Sequence, residues 1–273
     1  MKLLAIITDT FRESLARKTI LGFFGLSTLF LLIALIFFLA GQDLLLKSQP
    51  AMMQKIPMDE LMQQIVVGVE SVIARLLYAP AILLSIFATA SIIPNTLEKG
   101  SIDLLLSKPV SRTEILVGKI LGASTIVFLN VTYYIVGMWL IISLTTGVWN
   151  PAFLLAIFPI VFGYLVLFSI ALFIGVTARS SALAILLVYF LFIIVVPILT
   201  ARELTLYTFI TNAGIKGVLD TLYYILPKTD DIANACSFVV ENKKIAAMPI
   251  WSSALFSLAV FTGSLFLFRK KDF

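Results

Sequence analysis

The chain has 273 residues, 60% hydrophobic and 13% charged, with a mean hydropathy of +1.07. Soluble domains carry roughly a quarter charged residues, so this composition is that of an integral membrane protein, and the net charge of +5 is to be sorted by side of the bilayer, not read as a nucleic-acid signal. There is no histidine and a single cysteine, Cys236, read as a free structural thiol; an internal disulfide is excluded, and zinc hydrolysis and His-based catalysis lose their usual side chain.

The chain opens with KLLAIITDTFRESLARK, in which Leu3, Leu4, Ile7, Phe11 and Leu15 mark one face of a helix. Residues 1–19 are therefore expected to lie along the inner leaflet, with cations among anionic headgroups. A spanning helix needs about 20 mainly apolar residues. Runs of that kind extend from Ile20 to Ala40, about Leu76 to Leu97, about Ile115 to Leu144, Ala152 to Ala178, Ala182 to Ala201 and Pro249 to Phe268. The first lacks a small-residue cleavage site and is expected to be a retained anchor. Pro94, Pro159 and Pro197 are expected to kink helices or mark their ends.

Two long segments, 41–75 and 202–248, fall on one side. The second holds LYTFITNAGIKGVLDTLYYILPK, whose apolar positions predict a helix that stops before Pro227 and either lies on the leaflet or re-enters it. Twelve of the 20 basic residues, against six acids, fall on the side of both termini; the other side has eight against nine. Flanks on the cytoplasmic side retain Lys and Arg, so both termini are expected in the cytoplasm.

Ionisable residues are missing from the central part of each expected span, which weighs against an ion-coupled carrier. Ser124, Ser169 and Ser257 have no general base at membrane depth, so no catalytic residue is assigned. Asn130 and Tyr134 lie one turn apart and either line a pathway or pack against a neighbouring helix, packing being the simpler reading.

Between the second and third spans stands EKGSIDLLLSKPVSRTEILVGK. Gly100 is suited to close one helix and Ser101 to cap a short turn bearing Leu104, Leu105 and Leu106. Pro109 breaks that turn, and Ser111 with Glu114 forms an S-x-x-E capping box for the third span, with Lys119 expected near the headgroups. Leucines presented among charges on a capped loop predict a docking surface.

This stretch resembles the signature of the type-2 ABC exporter permeases: an acidic residue and glycine, a leucine pair, a proline, Ser-Arg, and Gly-Lys entering the third helix. The similarity extends to the interfacial helix, six spans, Y-Y-I-L-P before the last span and the terminal F-R-K-K-D-F. The resemblance implies an all-α integral membrane protein forming a single permease domain over 1–273. Its 98–114 loop would be a coupling helix seated in a cytoplasmic ABC ATPase subunit. The match falls on Glu98, Gly100, Leu104, Leu105, Pro109, Arg112 and Lys119, with Asp103 and Leu106 included as neighbours. It further implies two ATPase copies, a second permease protomer, identical or homologous, membrane lipid around the pair, and residence in the inner (plasma) membrane. The sequence has no G-x-x-x-x-G-K-[ST], since Gly118-Lys119 lacks the upstream glycine and precedes Ile120. ATP and Mg would therefore be bound by the partner, with no cofactor or metal on this chain. The competing classes are a membrane scaffold that recruits an ATPase and an ion-coupled carrier working alone.

Overall fold

The computed structural model describes residues 2–16, 18–47, 58–97, 110–210 and 212–270. Every regular element among them is helical. They are α1 (Lys2–Ala16), α2 (Thr19–Lys47), α3 (Met58–Thr89), α4 (Ile92–Thr96) and α5 (Arg112–Thr146); then, after a 3₁₀ turn at Pro151–Ala156, α6 (Ile157–Ala178) and α7 (Ser181–Phe190). A π-helical turn at Leu191–Val195 leads into α8 (Val196–Thr200), followed by α9 (Leu206–Phe209), α10 (Ala213–Ile225), α11 (Thr229–Val240) and α12 (Ala247–Lys270).

Six stretches among the described residues are long and apolar enough to cross a bilayer: Thr19–Ala40, Glu60–Thr96, Arg112–Thr146, Pro151–Ala178, Ser181–Thr200 and Ala247–Lys270. They correspond in order to the six runs expected from hydropathy, and the protein is an all-α multi-pass membrane protein. The fourth is central. α6 packs against α3, α5, α7, α11 and α12, and its Tyr164, Leu167, Phe168 and Val176 are almost fully enclosed. α2, α7 and α12 sit at the periphery and keep wide apolar faces exposed, such as Ile36 and Phe37 on α2. Polar side chains tie the layers where apolar packing alone carries no direction. Tyr164 Oη donates to Thr89 Oγ1 at 3.2 Å, and Tyr189 Oη donates to the Leu83 carbonyl at 2.5 Å.

Two elements depart from the sequence reading. The second span begins at Met58, not near Leu76, so much of the expected outer segment is a continuation of that helix. At 1.5 Å per residue a helix of that length is longer than a hydrocarbon core of about 30 Å, and its first turns stand beyond the bilayer. The second departure is α11, which hydropathy did not separate from its surroundings. It turns Ile232, Ala233, Cys236 and Val240 inwards against α3, α6 and the 3₁₀ turn. Cys236 is buried, and burial pushes its thiol upwards, as expected of an inert structural cysteine. The predicted helix before Pro227 is α10, which ends at Ile225.

Candidate functional site

The chemistry is concentrated at the two ends of the bundle. At the end that carries the loop, α5 starts where the sequence motif places it. Ser111 is extended (φ −76°, ψ 153°) and its Oγ accepts from the Glu114 N–H at 3.2 Å, while Ser111 N–H donates to Glu114 Oε2 at 2.7 Å. This reciprocal pair satisfies two donors that a bare helix start leaves open. On the other flank α4 ends at a buried Leu97, with Ile92, Ile93 and Thr96 also enclosed. Both ends of the intervening loop are thereby fixed to the bundle. Glu98, Gly100, Asp103, Leu104, Leu105, Leu106 and Pro109 lie outside the described residues. Arg112 is in the first turn of α5.

Lys119 is enclosed between α5 and α1. Its side chain is 2% exposed, and its Nζ lies 2.6 Å from Glu13 Oε2 and 3.4 Å from Asp9 Oδ2, both on α1. On either side of this pair α1 lies against α5 so closely that a Cβ on Gly118 would come within 2.6 Å of Ile6, and one on Gly122 within 2.7 Å of Thr10. The two glycines, four residues apart, form a flat strip on which α1 rests, the small-residue contact common between membrane helices. An unpaired ammonium would be costly in such a place, and the two carboxylates one helical turn apart supply its partners.

The helix α1 therefore has three faces. Ile6, Thr10 and Ser14 are buried against the bundle; Leu3, Leu4, Phe11 and Leu15 remain exposed beside them; Arg12 is exposed as well. The apolar stripe read from the sequence is the exposed one, suited to a leaflet. The protein-binding stripe is the adjacent one, and the sequence reading missed it.

Asn130 and Tyr134 are both largely enclosed. Asn130 Oδ1 accepts from Ser27 Oγ of α2 at 3.0 Å, and one turn away Thr28 Oγ1 meets Tyr133 Oη at 2.9 Å. The space that Asn130 and Tyr134 line with Ser27 and Ala81 amounts to about 10 Å³, room for one water at most. In this arrangement Asn130 and Tyr133 join α5 to α2, and Tyr134 lines the same small space beside Asn130.

At the opposite end, side chains that hydropathy left unassigned are brought together. Glu70 of α3 is fully buried and its Oε2 accepts from Asn150 Nδ2 at 2.7 Å; the Asn150 carbonyl accepts from Trp139 Nε1 at 3.0 Å. The first half of α3 is thus attached to the turn between α5 and α6. Further out, Arg202 lies over the Tyr223 ring at 3.7 Å and donates through Nε to Asp220 Oδ1 at 2.8 Å, which also accepts from Tyr207 Oη at 2.7 Å. These hydrogen bonds, first from Tyr207 and then from Arg202, hold the Asp220 carboxyl below the usual carboxylate range. Tyr223 and Tyr224 of the Y-Y-I-L-P stretch receive Lys228 at 5.0 and 5.4 Å, so the motif serves to fold α10 back onto the end of the fifth span.

A family model described as ABC-2 family transporter protein matches residues 4–273. No curated protein matches the chain.

Proposed function

The chain belongs to the ABC-2 transporter family, and from that premise we propose that it is the permease subunit of an ATP-driven exporter, working as a dimer with two separate ATPase subunits. The observation that supports coupling is the mounting of the 98–114 loop. One flank is the buried end of α4 and the other is the capping box of α5, itself clamped to α1 through Lys119. A loop held in this way transmits a push to the second and third spans instead of absorbing it, since a buried, close-packed attachment has little freedom to yield.

In this proposal Leu104, Leu105, Leu106 and Arg112 meet a cytoplasmic ATPase that binds ATP and Mg, in the inner (plasma) membrane, with both termini on the cytoplasmic side. Closure of two such subunits rocks the first, second and fifth spans of two protomers and opens a path between them. The exposed apolar faces of α2 and α7 offer the surface for a second protomer and for lipid. Cargo on so uncharged a path is amphipathic or lipid-like.

The test is a mild-detergent pull-down of the tagged chain from its native membrane, with mass spectrometry and an ATPase assay. A P-loop ATPase recovered in near-stoichiometric amount, and lost on changing Leu104, Leu105 and Arg112 together, is the expected result. A preparation free of ATPase even after crosslinking would remove the proposal and favour a membrane scaffold or a carrier that works alone.

A further inference from the structure

A cleft of about 760 Å³ opens between α3, the π-turn of the fifth span and α11. Its two halves differ in chemistry. Leu76 and Leu83 of α3 with Phe192, Ile193 and Val196 make one part apolar, whereas Ser71, Arg75, Asp230 and Glu241 make the other polar and form its rim. The π-turn shapes the apolar wall: the Val196 N–H bonds to the Leu191 carbonyl, five residues back, and Pro197 follows with no donor of its own. Such turns recur at functional sites.

The level of the rim in the membrane follows from helix geometry. From Arg75 to Thr89, the end of α3, the helical rise at 1.5 Å per residue is about 20 Å, and the turn and α4 carry the second span on towards the 98–114 loop, together spanning most of a hydrocarbon thickness of about 30 Å. The rim therefore stands at the headgroups of the leaflet opposite the 98–114 loop, and the apolar wall descends from it to acyl-chain depth. Its charges are of both signs. Arg75 and Asp230 are 3.8 Å apart and half-exposed, with side chains 53% and 42% accessible, so each remains largely hydrated and open to another partner. Glu241 is already engaged by Lys243.

We propose that this cleft binds one zwitterionic phospholipid of that leaflet. The acyl chain lies along Leu76, Leu83, Phe192 and Val196; the phosphate is at Arg75 and the ammonium at Asp230. Charge balance selects this class. An anionic amphipath leaves Asp230 beside unneutralised negative charge, and a cationic one leaves Arg75 likewise unmatched, while a zwitterion satisfies both rim charges at once. A cleft of this size falls within the range of small-ligand sites. The site stands independently of any coupling to an ATPase.

The experiment uses the full chain in vesicles containing trace phosphatidylethanolamine or phosphatidylglycerol with a photoreactive group on the acyl chain, and maps labelled peptides by mass spectrometry. The phosphatidylethanolamine probe is expected to label 71–83 and 191–197 several-fold more than the phosphatidylglycerol probe. That preference should disappear in Asp230→Asn, which takes away the partner of the ammonium and leaves Arg75 for the phosphate of either probe, whereas Arg75→Lys, which keeps both rim charges, should retain it. Equal labelling by both probes, or an unchanged preference in Asp230→Asn, would reduce the cleft to ordinary annular lipid and overturn the proposal. So would an Ile193→Cys variant that forms a disulfide between two copies and abolishes labelling, because a second protomer would then be the occupant.

Discussion

Lys119 of α5 and Glu13 of α1 are joined at 2.6 Å, with the lysine enclosed and the carboxylate side chain 28% exposed. The asymmetry of exposure gives an asymmetric prediction. Removing both carboxylates (Asp9→Asn with Glu13→Gln) leaves a buried ammonium without a counter-charge, a change that costs about 3 kcal/mol or more in enclosed pairs. Lys119→Met leaves carboxylates that water can reach, and the loss should be nearer the ~1 kcal/mol of exposed pairs. Thermal unfolding in detergent, followed by tryptophan fluorescence, should rank the double carboxylate variant below Lys119→Met. The reverse order would show that the lysine is not enclosed.

The seating of α1 is tested by bulk at the glycine strip. A Cβ at Gly122 meets the β-branched Thr10 at 2.7 Å, where neither helix backbone nor the threonine can yield cheaply. Gly122→Ala should loosen α1 and raise proteolysis after Arg12, which is exposed already. Thr10→Ala should restore protection in the double variant, through a coupling of the size seen between touching residues, about 0.5–3 kcal/mol. If the two changes merely add, the helices do not meet at these residues.

How much of this was legible beforehand follows from the range of each interaction. The start of α5 was readable because a capping box is a local bargain among four consecutive residues, Ser111 to Glu114. The spans were readable because hydropathy is summed over a window. The outer turns of α3 were not, since Glu60, Gln63, Gln64, Glu70 and Arg75 lower the hydropathy without interrupting the helix. Lys119 and its partners are separated by more than 100 positions, and no local pattern reports such a pair. A signal existed all the same: Gly118 and Gly122 make a small-residue strip beside a lysine, and Asp9 and Glu13 place two acids on one face of α1. The apolar stripe of α1 drew attention to its membrane face, whereas the face that fixes its position carries Ile6, Thr10 and Ser14, two of them polar.

The outer cluster has a pH dependence of definite sign. Hydrogen bonds from Tyr207 and Arg202 depress the Asp220 pKa below its ordinary 3.8. A depressed carboxylate stabilises the folded state above the unfolded-state value and loses that contribution as pH falls through the folded-state value. Asp220→Asn should therefore weaken hydrogen-exchange protection in α10 at neutral pH, and the gap from the parent protein should narrow as pH falls below about 4. A gap that stays constant to pH 2 would mean that the carboxylate charge is not what holds α10.

The capping box separates attachment of the loop from recognition by the loop. Ser111→Ala removes an N-cap worth about 1 kcal/mol and frays the first turn of α5, but leaves Leu104, Leu105 and Arg112 in place. Arg112→Glu with Glu98→Lys reverses charge at both ends of the loop and leaves the cap intact. If the loop docks on an ATPase, the charge-reversed protein should be expressed at the parent level yet retain much less ATPase in a pull-down. The Ser111→Ala protein should retain the ATPase while ATP-driven transport falls, because a frayed attachment still binds but transmits less of the push. Equal ATPase recovery and equal transport in both variants would remove residues 98–114 from the coupling path. Loss of expression in the charge-reversed protein alone would instead assign Glu98 and Arg112 to folding of the loop and not to membrane orientation, because the exchange leaves the loop's count of basic residues and its net charge unchanged.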